Sequence, residues 1–200
     1  MSNSIFTWVS IFGFVLFILA ILTVFALGVY FLLSKAKRRT AVVHQSWEEF
    51  AQAKNLTFEK ISGSAYPKIY GTYRNRPATV LFNRVGRIWY TQVTRPVNIP
   101  SDFRLEIAPR SSLDWMVTGQ KIEFGSQEFR TKYLIVGTIS QSALAHLNSA
   151  VQAAILETNF SLLRLDKGTL TLRAVGFETR PQVLEAFLEL TCTIAEALEQ

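Results

Sequence analysis

The chain has 200 residues, of which 49% are hydrophobic and 18% charged, with a formal charge of +6. So much apolar material excludes intrinsic disorder, and a single cysteine excludes a disulfide framework or a thiolate-rich zinc site. No Lys, Arg, Asp or Glu occurs before Lys35, so residues 1–34 are a different material from the rest.

Ile5 to Leu33 run without a charge or a proline. As a helix this stretch would reach about 43 Å, against ~30 Å of bilayer hydrocarbon. The pattern predicts a single transmembrane anchor over residues 1–34. It is too long for a signal-peptide core and is followed by basic residues rather than a small-residue cleavage site. Lys35, Lys37, Arg38 and Arg39 follow at once, and no charged side chain precedes the apolar run. Basic flanks stay cytoplasmic, which predicts the amino terminus outside, a basic juxtamembrane linker over 35–45, and a cytoplasmic domain over 46–200 of a single-pass cell-membrane protein. The same four residues also suit anionic lipid.

Beyond the linker, Ser46-Trp-Glu-Glu49 has the spacing of a capping box and predicts a short helix from Ser46 to about Asn55. Alternating segments follow. Lys68–Tyr73 places Ile69 and Tyr73 on one face, Ala78–Phe82 groups Ala78, Val80 and Phe82, and Ile88–Thr94 and Phe103–Ala108 continue the pattern. Four short strands with tight links predict an antiparallel meander with one buried face. Lys121–Phe124 is a candidate short strand and Lys132–Gly137 a better one, while no pattern assigns Ser111–Gly119. Ser140 opens a predicted helix to about Glu157. Phe160–Leu165 and Thr169–Ala174 flank Asp166-Lys167-Gly168, a hairpin signal. Thr179-Arg-Pro-Gln182 has the spacing of a second capping box and opens a last helix through Leu198. Strands and helices come in runs rather than strict alternation. The fold class is therefore α+β: a transmembrane helix, then one domain of mostly antiparallel sheet with helices packed on one face.

Little in the chain suggests catalysis. His44 and His146 stand alone, without further ligands at coordinating spacing, so no metal site is expected. No nucleophile elbow, Walker loop or dinucleotide-binding glycine fingerprint occurs, so neither catalytic residues nor a cofactor can be assigned. Cys192 lies within an apolar helix and reads as a small buried hydrophobe. The clearest polar signal is charge segregation. Lys68, Arg74, Arg76, Arg84, Arg87 and Arg95 occur between positions 68 and 95 without an acid, interleaved with tyrosines and Trp89, whereas residues 178–200 hold five Glu and only Arg180. The basic run reads as a solvated sheet edge, as a surface for an acidic protein or anionic lipid, or as a nucleic-acid surface. A tethered domain without a known nucleic-acid module argues against the last.

Gly125-Ser126-Gln127-Glu128-Phe129-Arg130-Thr131-Lys132-Tyr133-Leu134-Ile135, followed by Ala143-Leu144, resembles a pattern found in uncharacterised bacterial membrane-anchored proteins. There Gly-Asp-x-x-Phe-Asp-x-x-Phe/Tyr-x-Val opens a strand and a helix follows. Ser126 and Arg130 stand where that pattern has Asp, and the resemblance implies no particular activity. Taken together, the expected function is a membrane-anchored, non-catalytic interaction or scaffold module that binds an acidic partner or an anionic lipid surface. The alternative is a membrane-tethered enzyme whose site assembles from distant residues. A deep pocket with several shifted ionisable groups would separate that alternative from a binding surface.

Overall fold

The computed structural model describes residues 2–61, 66–110 and 120–200; the side chains of residues 2–18, 20, 26, 32, 33, 36–39 and 142 lie outside that description. The chain divides into two compact units, Met1–Val42 and Val43–Gln200.

The described backbone of the first unit is helical, as part of α1 (Ser2–Ala53). This corrects the expected organisation. The segment 35–45 is helix rather than linker, and Ser46 lies inside the helix rather than capping one. The expected transmembrane anchor is corrected as well: among the described residues no helix is long and apolar enough to cross a membrane. The apolar run on which that expectation stood lies largely among side chains outside the description, and α1 continues past it into charged and polar sequence. The topology inferred from the basic flank loses its premise with the span. Lys35 is exposed; Lys37, Arg38 and Arg39 are helical in backbone, and their side chains are among those outside the description. From Leu19 to Phe31 the described large apolar residues are exposed.

The second unit is built on an eight-stranded, wholly antiparallel sheet in the order β1-β2-β3-β4-β8-β7-β5-β6. The strands are β1 (Thr57–Lys60), β2 (Pro67–Tyr73), β3 (Arg76–Val85), β4 (Ile88–Pro96), β5 (Arg104–Pro109), β6 (Tyr133–Thr138), β7 (Leu162–Asp166) and β8 (Thr169–Val175). The helices among the described residues are the end of α1, α2 (Gln127–Lys132), α3 (Gln141–His146), α4 (Ser149–Glu157) and α5 (Pro181–Leu198). The α+β class with helices on an antiparallel sheet is therefore correct.

Register explains the two faces. Ile69, Val80, Val93, Leu172, Leu163, Ile107 and Ile135 pair in succession across seven strands, and every one is buried. The neighbouring row reads Tyr70, Thr79, Thr94, Thr171, Arg164, Glu106 and Val136, which is mostly polar. Because side chains alternate along a strand, a one-residue slip would exchange these rows, so burial of the first fixes the register. α5 packs across β4 and β8 with Leu184, Phe187, Leu188, Thr191, Cys192 and Ala195 buried. Each large apolar side chain so buried contributes about 1.5–3 kcal/mol. Trp47 of α1 stacks on Phe82 with centroids 4.3 Å apart and donates its indole N–H to the Glu178 carbonyl at 2.9 Å.

Four further expectations are corrected here. Phe103–Ala108 is not the fourth strand of the meander. The free edge of β4 pairs with β8, and β5 lies between β7 and β6, where Leu105 and Ile107 meet Leu165 and Leu163. The helix expected over 140–157 is two helices, because Asn148 takes an extended conformation and its Oδ1 accepts from the N–H groups of Ala150 and Val151, capping α4. The second capping box does not form: Arg180 is the N-cap residue of α5 and makes no side-chain cap bond, while Pro181 supplies the preset helical φ. Lys121 makes an isolated bridge to Val136 rather than a strand. Ser111–Gly119, which no pattern assigned, lies outside the described residues.

Candidate interaction surface of the basic meander

The six basic residues between 68 and 95 do not form one surface. They part according to strand parity and according to which end of the meander they occupy.

Arg95 is the clearest departure. It follows Val93 by two positions on β4, so it shares the helix-facing side, where it pairs with Leu170 and is fully buried. Its Nη1 donates to the Tyr73 carbonyl at 3.5 Å, while Nε and Nη2 have no hydrogen-bond partner among the described residues. Burial pulls its pKa below the ordinary guanidinium value. Arg95 is therefore removed from the expected interaction surface. Ending the predicted strand at Thr94 hid this; carrying the alternation one residue further would have placed Arg95 inside.

Arg74 lies in the β2–β3 turn and Arg76 follows it; Arg74 and Asn75 both take positive φ, as a two-residue type I′ turn requires. This turn lies against the acidic α5. Arg74 pairs with Glu189 at 2.8 Å and Arg76 with Glu199. Glu199 also accepts from the Asn98 N–H at 2.8 Å. Burial pushes the Glu199 carboxyl up, but the bonds from Asn98 and Arg76 outweigh that and hold it below the ordinary value. Tyr73 donates its hydroxyl to Glu189 and is raised well above the ordinary phenol pKa, by burial first and then by that carboxylate. Lys54 at the end of α1 reaches Glu185 in the same way. The segregation seen in the sequence is thus partly internal: acids of the last helix neutralise bases of the first turn. Lys68 lies over the Tyr70 ring at 4.7 Å on the open face.

Arg84 and Arg87 occupy the opposite end, at the β3–β4 turn. Val85 pairs with Ile88 across it, and Gly86 has φ +60 with open space where a Cβ would stand. Glycine first and Arg87 second is the type II′ arrangement. Arg84 donates Nε–H to the Gly86 carbonyl at 3.0 Å and lies over the Trp89 ring at 5.7 Å. Among the described residues neither Arg84 nor Arg87 meets a carboxylate, and both are exposed. Beside them Val85, Ile88 and Val175 are 47%, 48% and 67% exposed. Behind the turn, Tyr66, Phe82, Trp89 and Phe177 pack ring on ring with centroids 4.7–5.5 Å apart, so the tip rests on a filled aromatic cluster.

The concavities lie elsewhere. One, about 800 Å³, is lined by Phe103, Ile122, Phe124, Ile139 and neighbours, and contains none of the described ionisable groups whose pKa is displaced. A second, about 490 Å³, includes Tyr133, raised by burial, whose hydroxyl donates to the Ile155 carbonyl at 3.1 Å. Cys192 is buried, and burial followed by its bond to Glu196 pushes the thiol up, away from nucleophilic character. Among the described residues no three His, Cys, Asp or Glu side chains converge as metal ligands do. The stretch that carries the family resemblance forms α2 and β6: Ser126 caps α2 by accepting from the Phe129 N–H, and Phe129 is buried.

No protein-family model matches the sequence, and no curated protein matches it. The fold is similar to that of the mycobacterial trehalose monomycolate transport factor A, TtfA, in its crystal structure, with a TM-score of 0.58 over 78% of this chain and 94% of that one. Identity is 7%, so the likeness concerns the fold alone.

Proposed function

We propose that the domain is a non-catalytic binding module whose contact surface is the β3–β4 tip and whose partner is anionic. One contrast supports this reading. The arginines of the β2–β3 turn are neutralised within the chain, whereas Arg84 and Arg87 meet no carboxylate among the described residues and stand at an exposed apolar tip. An exposed charge that meets no carboxylate, beside exposed aliphatic side chains, suits an oppositely charged partner.

Salt elution of the full chain from an anionic matrix tests it. Arg84→Gln with Arg87→Gln is expected to elute at clearly lower salt. Arg74→Gln with Arg76→Gln is expected to elute near the unsubstituted chain, although it removes equal formal charge. Equal effects of the two pairs would overturn the proposal, because net charge rather than the tip would then govern retention.

A further inference from the structure

We infer that the β3–β4 tip is a lipid-contact element, with Arg84 and Arg87 taking the phosphates of anionic headgroups and Val85, Ile88 and Val175 entering the apolar side of the interface. This rests on the binding-module reading and names its partner.

Shape selects lipid over a peptide. Val85 and Ile88 pair across the turn, and Val175 pairs with Tyr90, the residue two beyond Ile88, so the three aliphatic side chains share the open face of neighbouring strands. They crown the end of a two-residue hairpin, and four concavities among the described residues are lined by other side chains. A peptide partner read by its side chains needs pockets to receive them. A bilayer interface needs none, because it deforms around a convex aliphatic tip and offers phosphate oxygens at the level of the flanking guanidiniums. Arginine suits that anion through its planar set of donors. Arg84 is on the strand face opposite Val85 and is steadied over Trp89, and Arg87 is in the turn itself, so the cations flank the aliphatic cluster instead of interrupting it. The type II′ turn and the aromatic cluster behind it give the tip a preset form, so little ordering entropy opposes contact.

The test places a reporter at the tip of the full chain. Val175→Cys carries an environment-sensitive fluorophore; the native Cys192 is fully buried and does not compete for the label. Phosphatidylcholine vesicles with or without phosphatidylserine carry a lipid-bound quencher. The substituted chains compared below leave α1 unchanged, so any adsorption through its exposed residues is common to all of them. The expected result is a blue shift and quenching that require phosphatidylserine and fall with salt. Arg84→Gln with Arg87→Gln should weaken the tip's partition about thirtyfold, at the usual contribution of two cations near an anionic surface. Val85→Ser with Ile88→Ser should remove the quenching while the variant melts as the unsubstituted chain does. Quenching that is absent, or indifferent to both pairs of substitutions, overturns the lipid assignment. If soluble poly-glutamate shifts the label and vesicles do not, the lipid assignment fails and the binding module stands. If neither moves it, both fail.

Discussion

The two turns of the β2-β3-β4 meander are built from similar material and do opposite things. Each carries two arginines on or beside a tight two-residue turn. At the β2–β3 turn the last helix lies close by, and Glu189, Glu199 and Tyr73 draw Arg74 and Arg76 into a network that fastens α5 to the sheet. At the β3–β4 turn no carboxylate among the described residues meets an arginine, and Arg84 and Arg87 stay exposed. An arginine's role is thus set less by its strand than by which helix crosses above it.

The largest effect is expected where the first network is inverted. Glu189→Lys removes the acceptor shared by Tyr73 and Arg74 and sets an ammonium beside a guanidinium, which should cost about 2–3 kcal/mol in urea unfolding. A loss below about 0.5 kcal/mol would mean that these contacts do not hold α5.

Arg95 lies between the two turns and belongs to neither. A buried guanidinium with two unpartnered donors is a liability, so Arg95→Met should raise stability by about 1–2 kcal/mol. Destabilisation would show that the bond to the Tyr73 carbonyl and the packing of the guanidinium outweigh its desolvation.

The neutral variants come next. Arg74→Gln with Arg76→Gln should cost about 1 kcal/mol, as partly exposed ion pairs usually do. Arg84→Gln with Arg87→Gln should move the melting temperature by no more than about 1 °C. Similar losses in both pairs would erase the distinction between a structural and a presenting end.

The smallest effect is a pH dependence. The Tyr73 hydroxyl titrates above its ordinary value of 10.0 in the folded state, so the folded protein keeps that proton longer than the unfolded chain does. Its contribution is therefore fully present below pH 10 and is lost as the pH rises beyond it. The stability difference between the unsubstituted chain and Tyr73→Phe should be flat below pH 10 and shrink above it. A difference that grows with pH would contradict the hydrogen bond to Glu189.

Much of the fold was legible because alternation is a local property. Ile69 with Tyr73, Ala78 with Val80, and Leu105 with Ile107 were assigned to the right faces, since a buried face imposes period two on any strand. The hairpin about Asp166-Lys167-Gly168 was legible from turn chemistry: Lys167 and Gly168 both take positive φ. Caps were read less well. Ser46-Trp-Glu-Glu49 and Thr179-Arg-Pro-Gln182 have the right spacing, but Ser46 instead donates its hydroxyl to the Thr179 carbonyl, tying α1 to the start of α5. A hydroxyl satisfied at long range has no need to cap. Asn148, which no spacing rule flagged, broke the expected helix in two.

By itself the sequence determined the α+β class, the faces of the strands and the separation of basic from acidic segments, because these depend on neighbours a few residues apart. Only the tertiary structure decided that β8 rather than β5 lies beside β4, that Arg95 is interior, and that α5 neutralises one turn and leaves the other bare. Those outcomes depend on pairing across dozens of residues, where the burial of whole rows, rather than any local preference, selects the arrangement.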